Sequence, residues 1–196
     1  LNGAVVSELG QRMVVGADQL KVFGKLVRPP RADKLVVYAL YKPKNCITTL
    51  NDPKGRQIIK DFFPKTSQRL FPVGRLDYNA EGLIFITNDG DFANKIMHPR
   101  YKLWKGYFVK VKGRITQHEL LPLIQGPLIK GRKHLPIEAK LLHHVNEKSW
   151  LDIALQQGTN QQIKKMFGQM GYPVEKIKRY RIGNVALEEL NPGESR

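Results

Sequence analysis

The chain of 196 residues holds a single cysteine, Cys46. One thiol excludes an internal disulfide framework and fits a reducing compartment, so a cytoplasmic protein is expected. With no second cysteine nearby, Cys46 is read as a packing residue. No apolar run approaches the roughly 18 residues that a membrane helix requires, and no signal-peptide pattern opens the sequence. Leu1 stands where an initiator methionine would, and we expect the chain to begin inside a longer gene product. Metal and nucleotide signatures are missing as well. The histidines at 98, 118, 134, 143 and 144 lack ligand spacing, and neither a P-loop nor a G-x-G-x-x-G occurs. Asn88-Asp89-Gly90-Asp91 lacks the later bidentate acid of an EF-hand and reads as a turn with a helix cap. No metal and no cofactor are expected.

Acidic residues are scarce. Lysine and arginine number 33 against 17 acids, which gives a formal charge of +16 and a pI of about 10.0. Such an excess attracts polyanions. An anionic membrane would call for a basic amphipathic helix with a broad apolar face, or a lipidation site, and neither is present. Nucleic acid is the better partner. Two runs concentrate the charge: six basic residues and no acid between Arg100 and Arg114, and six against Glu175 alone between Asn160 and Arg181. Each run has an ordinary alternative as a solvated basic face.

Hydrophobic spacing predicts an α+β chain. Short strand-like pieces fill Leu1 to Gly24, and Lys25 to Lys34, with Pro29-Pro30 between Arg28 and Arg31, reads as an extended basic linker. A larger domain is predicted from Leu35 onward. Strands are predicted over Leu35–Tyr41, Leu83–Thr87, Lys105–Lys112, Ile137–Val145, Trp150–Leu155 and Val174–Ile182. Alternation in the third of these puts Tyr107, Val109 and Val111 on one face, with Phe108, Lys110 and Lys112 on the other. Asp89 is the predicted N-cap of a helix that runs to Met97 and stops at His98-Pro99. Thr116-x-x-Glu119 opens a second helix ending near Gly126-Pro127. A third carries the stripe Ile163, Met166, Phe167 and Met170, with Asn160 as its natural N-cap.

The stretch from Gly74 to Leu83 remains. Arg75 and Asp77 sit two apart in a loop-like segment that runs into a buried strand. A solvated turn with a local ion pair would explain it. A glycosidase would pair Asp77 with Glu81 or Asp89, and spacing alone does not supply the required separation.

The segment from Phe71 to Gly90, FPVGRLDYNAEGLIFITNDG, resembles the signature of the RsuA/RluB family of rRNA pseudouridine synthases. Three more blocks agree in the family's order. They are Tyr41-Lys42-Pro43-Lys44, then Lys105 to Val111 (KGYFVKV), then Gly158 to Gly171 (GTNQQIKKMFGQMG) with the ending Arg181-Ile182-Gly183. Together they span essentially Leu35 to Leu187. The resemblance implies a mixed, largely antiparallel sheet with flanking helices and a central cleft. It also implies a bacterial enzyme that converts a uridine of ribosomal RNA to pseudouridine, with 23S RNA favoured by the segment Asn51 to Arg56. A monomer is expected. Val5 to Gly24 is similar to the second half of an S4 RNA-binding domain, so the expected organisation is a partial S4 domain over 1–24, a linker over 25–34 and a catalytic domain over 35–196.

By the same resemblance Asp77 is the catalytic carboxylate, Tyr107 the stacking residue and Lys164 the partner of Asp77. Arg75, Lys42, Arg100, Lys102, Lys105, Lys165, Arg179 and Arg181 are candidate RNA contacts. Ala80 stands where the family usually has threonine, and Lys164 where many members have arginine, which exchanges a planar fork for a point charge. Two other functions stay open: a non-catalytic RNA-binding module of the same fold, and a hydrolase acting on nucleosides or sugars. The lysines also support their own argument. With Asn160 as N-cap, Lys164 and Lys165 fall in the first helical turn, where the macrodipole opposes cations by ~0.3–1 kcal/mol each. Two lysines there suggest a demand that outweighs the local cost. We expect Lys164 to point to Asp77 and Lys165 to serve phosphate.

Overall fold

The computed structural model describes residues 1–27, 34–129 and 131–196. The chain divides into two compact units, Leu1–Lys34 and Leu35–Arg196. In the first, β1 (Leu20–Val22) and β2 (Lys25–Val27) form a hairpin turning at Phe23 and Gly24, both at positive φ. Lys25–Val27, expected to begin a linker, is therefore a paired strand. The Phe23-Gly24 turn supplies the left-handed backbone that two-residue hairpins use. The expected Pro29-Pro30 linker lies outside the described residues.

The second unit is built on an eight-stranded sheet. In chain order it contains β3 (Val37–Lys42), β4 (Phe71–Pro72), β5 (Glu81–Thr87), α1 (Gly90–Met97), β6 (Lys105–Lys112) and α2 (Leu121–Ile124). Next come β7 (Leu128–Ile129), β8 (Arg132–Lys133), β9 (Glu138–Val145), β10 (Lys148–Leu155), α3 (Gln162–Gln169), β11 (Val174–Ile182) and β12 (Val185–Ala186). The main strand order is β3-β5-β11-β6-β10-β9, with β4 on β5 and β12 on β11, while β7 and β8 pair separately. Among the described residues every strand pairing of this sheet is antiparallel except that of β5 with β11. The expected α+β class with a mixed, largely antiparallel sheet is what forms.

β5 explains much of this layout. All seven of its residues are buried, as a strand covered on both faces should be. Leu83 and Phe85 join one apolar cluster with Ala39, Tyr41 and Ala93 of α1, whereas Ile84 and Ile86 join another with Leu40, Cys46 and Ile59. The third and largest cluster lies where Ile163, Met166 and Phe167 of α3 cover Tyr107, Val109, Val111, Leu151 and Ile153. The predicted α3 stripe and β6 alternation thus face each other.

Two helix starts differ from expectation. The Thr116–Glu119 bonds do form, with the Glu119 carboxylate accepting from the Thr116 N–H and hydroxyl. Beyond them the chain makes a 3₁₀ turn, His118–Leu120, and then the single α turn of α2. Pro122 has no N–H to continue an i→i−4 ladder from the 3₁₀ segment, and Gly126-Pro127 ends the element soon after. The N-cap of α3 is Gln161, in left-handed conformation, not Asn160. Asp89 caps α1 as expected, accepting from the N–H groups of Asp91 and Phe92.

Candidate active site

Asp77 sits in the loop between β4 and β5, and that loop is held by backbone and side-chain bonds from the segment after β3. The Thr48 hydroxyl donates to the Leu76 carbonyl at 2.8 Å and accepts from the Leu76 N–H at 3.2 Å. The Asn45 N–H donates to the Tyr78 carbonyl at 2.9 Å, and the Ala80 N–H to that of Asp77 at 3.0 Å. The Lys42 ammonium, with no exposure, donates to the carbonyls of Ala80 at 2.8 Å and Pro43 at 2.9 Å. Lys42, expected among the RNA contacts, is thus turned inward onto the protein's own carbonyls and not displayed at the surface. Its charge is buried among acceptors at the base of the Asp77 loop, where burial pushes its pKa down to about 8.

The far side of Asp77 is supplied by α3. Lys164 Nζ lies 2.8 Å from Asp77 Oδ2, a pair joining residues 87 apart in sequence. Asp77 thus pairs with Lys164 and not with Arg75, two residues away, which is exposed. The Lys165 ammonium turns back onto Asn160, donating to its backbone and side-chain oxygens. The two lysines of one helical turn have separate partners.

Asp77 and Lys164 open onto a cavity of about 460 Å³. Its wall includes Arg75, Leu76, Lys105, Tyr107, Ile163 and Arg179. Tyr107, 7% exposed, comes from β6, and Arg179, 5% exposed, is its Cα partner across the sheet on β11. Arg179 Nε donates to the Leu83 carbonyl at 2.7 Å. Arg179 is thus a residue of the cavity wall and not of the outer surface. Lys105 is half-buried in the same wall, its pKa pushed to about 8 by burial first and by the Arg179 charge second. Arg100 and Lys102 are exposed outside this wall, and the Arg100 guanidinium lies 4.6 Å from the Tyr101 ring centre. Arg181 is partly buried on β11.

The carboxylate pairs of a glycosidase are not assembled. Glu81 is buried and its carboxylate lies 2.8 Å from Lys176 Nζ, while Asp89 is occupied in capping α1. Among the described residues Asp77 is the only acid in the cavity wall. Sequence reasoning missed Gln162, 3% exposed, which borders the cavity and accepts from the Thr159 N–H and hydroxyl. It also missed Thr48 and Asn45 as supports of the loop. Nothing in their local sequence separates them from ordinary turn residues, because their partners lie about thirty residues on.

The family model for RNA pseudouridylate synthase matches residues 36–169. The chain belongs to that family. It is 40% identical over 198 aligned residues to the ribosomal large subunit pseudouridine synthase B of Bacillus subtilis (strain 168), covering all of this chain and 80% of that protein. It is 37% identical over 193 residues to the dual-specificity RNA pseudouridine synthase RluF of Escherichia coli (strain K12), covering 95% of this chain and 64% of that one. A crystal structure of a pseudouridylate synthase superposes with a TM-score of 0.78 at 25% identity, over all of this chain and 82% of the other. As a pseudouridylate synthase the protein is an enzyme. The segment that aligns with the family contains Asp77, Tyr107 and Lys164.

Proposed function

We propose that the protein isomerises a uridine of ribosomal RNA to pseudouridine, with Asp77 acting at the sugar, Tyr107 stacking the extruded base and Lys164 neutralising and orienting Asp77. One observation carries the reading: a single carboxylate, paired with a lysine at 2.8 Å, opens onto a cavity walled by a buried tyrosine. The reaction breaks the N1–C1′ bond, turns the base and rejoins it through C5. It involves no net oxidation or hydrolysis, so a carboxylate acting at the sugar can carry it. Extruding the uridine costs a few kcal/mol, and stacking on an aromatic ring returns ~1–3 kcal/mol of it.

Large-subunit RNA is the proposed substrate, supported by the large-subunit name of the Bacillus relative and by the Asn51–Arg56 segment. Arg75 at the cavity, Arg100, Lys102, Lys165 and Arg181 are the proposed phosphate contacts, with the N-terminal unit as an S4-like contribution to RNA binding. The proposed setting is the bacterial cytoplasm, with the protein acting as a monomer. Incubation with ribosomal RNA tritiated at uridine C5 should release tritium without free uracil. Asp77→Asn should abolish release while circular dichroism and RNA affinity stay near wild type. Turnover by the Asn variant would remove Asp77 from this role, and free uracil would point to a hydrolase.

A further inference from the structure

We propose that Lys105 and Arg179 form an anion-binding pole in the cavity wall that holds the detached uracil as its N1-deprotonated anion while the base turns. The proposal rests on the functional reading above and adds residues to it. Its starting point is an imbalance. The cavity wall carries Arg75, Lys105, Lys164 and Arg179, and among the described residues its single acid is Asp77, already paired with Lys164. Arg75 is exposed to water, whereas Lys105 is half-buried and Arg179 almost fully so. Arg179 Nη2 is buried and without a hydrogen-bond partner among the described residues, although Nε is fixed on the Leu83 carbonyl. Among the described residues the Lys105 ammonium makes one hydrogen bond, 3.2 Å to the Leu103 carbonyl. Two adjacent cations in a partly dry wall, one with an empty donor, are costly unless an anion enters. Burial first, and the Arg179 charge second, push the Lys105 pKa down to about 8.

Position selects the anion. Lys105 is two residues before Tyr107 on β6, where pairing with β10 is regular, so both side chains leave the same face. Arg179 is the cross-strand partner of Tyr107. A base stacked on the Tyr107 ring would therefore have its edge beside both cations. An RNA phosphate would enter from the exposed side of the cavity, where Arg75 and Gly158–Asn160 lie. Heterolysis of N1–C1′ sends both bonding electrons to uracil, which shares the charge over N1, O2 and O4. The sugar carbon bonds an Asp77 oxygen, or Asp77 takes the C2′ proton, and in both courses uracil carries the negative charge. After rotation C5 gives an electron pair to C1′ as the C1′–Asp77 bond breaks with its electrons returning to the carboxylate, or as Asp77 gives its proton back to C2′, and the C5 proton leaves to solvent. Preorganised donors aimed at developing charge contribute about 10²–10³ in rate when one is removed.

The test is a leaving-group comparison. Single-turnover rates at saturating RNA would be measured as loss of the target nucleoside, for RNA carrying uridine or 5-fluorouridine at the target. Fluorine withdraws electrons and stabilises the uracil anion without help from the protein. Lys105→Met should slow the uridine substrate about 100-fold and the fluorinated one several-fold less, and Lys105→Arg should retain most of the rate. Lys105→Gln, neutral but able to hydrogen-bond, provides the same comparison should the Met variant fail to fold. Equal slowing of both substrates would overturn the proposal. So would weaker RNA binding with an unchanged saturating rate, which would mark Lys105 as a phosphate contact. Absence of pseudouridine with the wild-type protein would overturn the functional reading and this inference together, whereas wild-type turnover with equal losses overturns this inference alone.

Discussion

At the scale of single residues, the site depends on contacts that join distant parts of the chain. Lys164 reaches Asp77 from the first turn of α3, at a helix end where a cation is opposed by the macrodipole. Lys164→Met should reduce turnover by orders of magnitude with RNA affinity little changed, as measured by single-turnover pseudouridine formation beside filter binding. Lys165→Met, which frees the Asn160 oxygens, should weaken binding and leave saturated turnover near normal. Tyr107 separates stacking from its hydroxyl: Tyr107→Phe should impair chemistry more than binding, and Tyr107→Ala both. Equal and mild effects of the two changes would make Tyr107 a packing residue only. Lys42 carries the pH dependence. Burial lowers its pKa from 10.5 to about 8, with Arg179 adding to the fall, against Cys46, Asp77 and Glu81, which raise it. Between those values the unfolded chain binds more protons than the folded one, so stability rises with pH across the window. Lys105 acts in the same sense, and Tyr41, whose pKa is raised chiefly by burial, opposes above about pH 10. Denaturation midpoints of Lys42→Met between pH 8 and 10 should climb less steeply than those of wild type. An identical slope would mean that Lys42 titrates like a solvated lysine.

At the scale of elements, the β5–β11 pairing brings the Asp77 loop and Arg179 to one cavity, and Gly82 permits it. Gly82 has φ +120, and a Cβ there would stand 2.2 Å from the Arg179 carbonyl oxygen. No L side chain fits without parting β5 from β11, which pair in parallel. Gly82→Ala should therefore cost more than ~2 kcal/mol in urea denaturation, combining backbone strain with lost pairing. It should also lower turnover in the fraction that remains folded. Stability and activity close to wild type would show that β11 can shift to accept a methyl group. The α2 region shows a different outcome at this scale. Its capping pattern is legible in sequence and its bonds form, yet a continuous helix from Thr116 to Gly126 does not, because Pro122 interrupts the ladder that the cap would start.

For the whole molecule, charge is the property with the longest reach. A net charge of +16 predicts RNA affinity that falls steeply with salt as phosphates are neutralised and counterions released. If about five phosphates are contacted, a plot of log K against log salt should have a slope of roughly −3 to −5. A flat response would leave the basic runs as ordinary solvated surface. Not all of this charge faces solvent. Lys42 and Arg179 are buried and Lys105 half-buried, so part of the basic balance serves the cavity and the loop beneath it.

The amino-acid sequence alone determined the polyanion preference, the positions of the long strands, the Asp89 cap of α1 and the motif that singles out Asp77. Each rests on local pattern or on summed composition, which a linear chain displays directly. The apolar run of β5 declared its burial, and the stripe of α3 declared the face it presents to β6. Only the tertiary structure decided which basic residues turn inward. Lys42, Lys105 and Arg179 look in sequence like any members of a basic run, since a strand lysine points to core or solvent according to the strands beside it. The same holds for the start of α3. Asn160 is the better cap by residue type, but the loop before the helix places Gln161 in the left-handed region and draws Asn160 onto Lys165. Family resemblance and the cost of lysines at a helix start both point to the Asp77–Lys164 pair. Its 2.8 Å contact across 87 residues exists because β5, β11 and α3 pack around one cavity, and packing of distant segments is not written in local pattern.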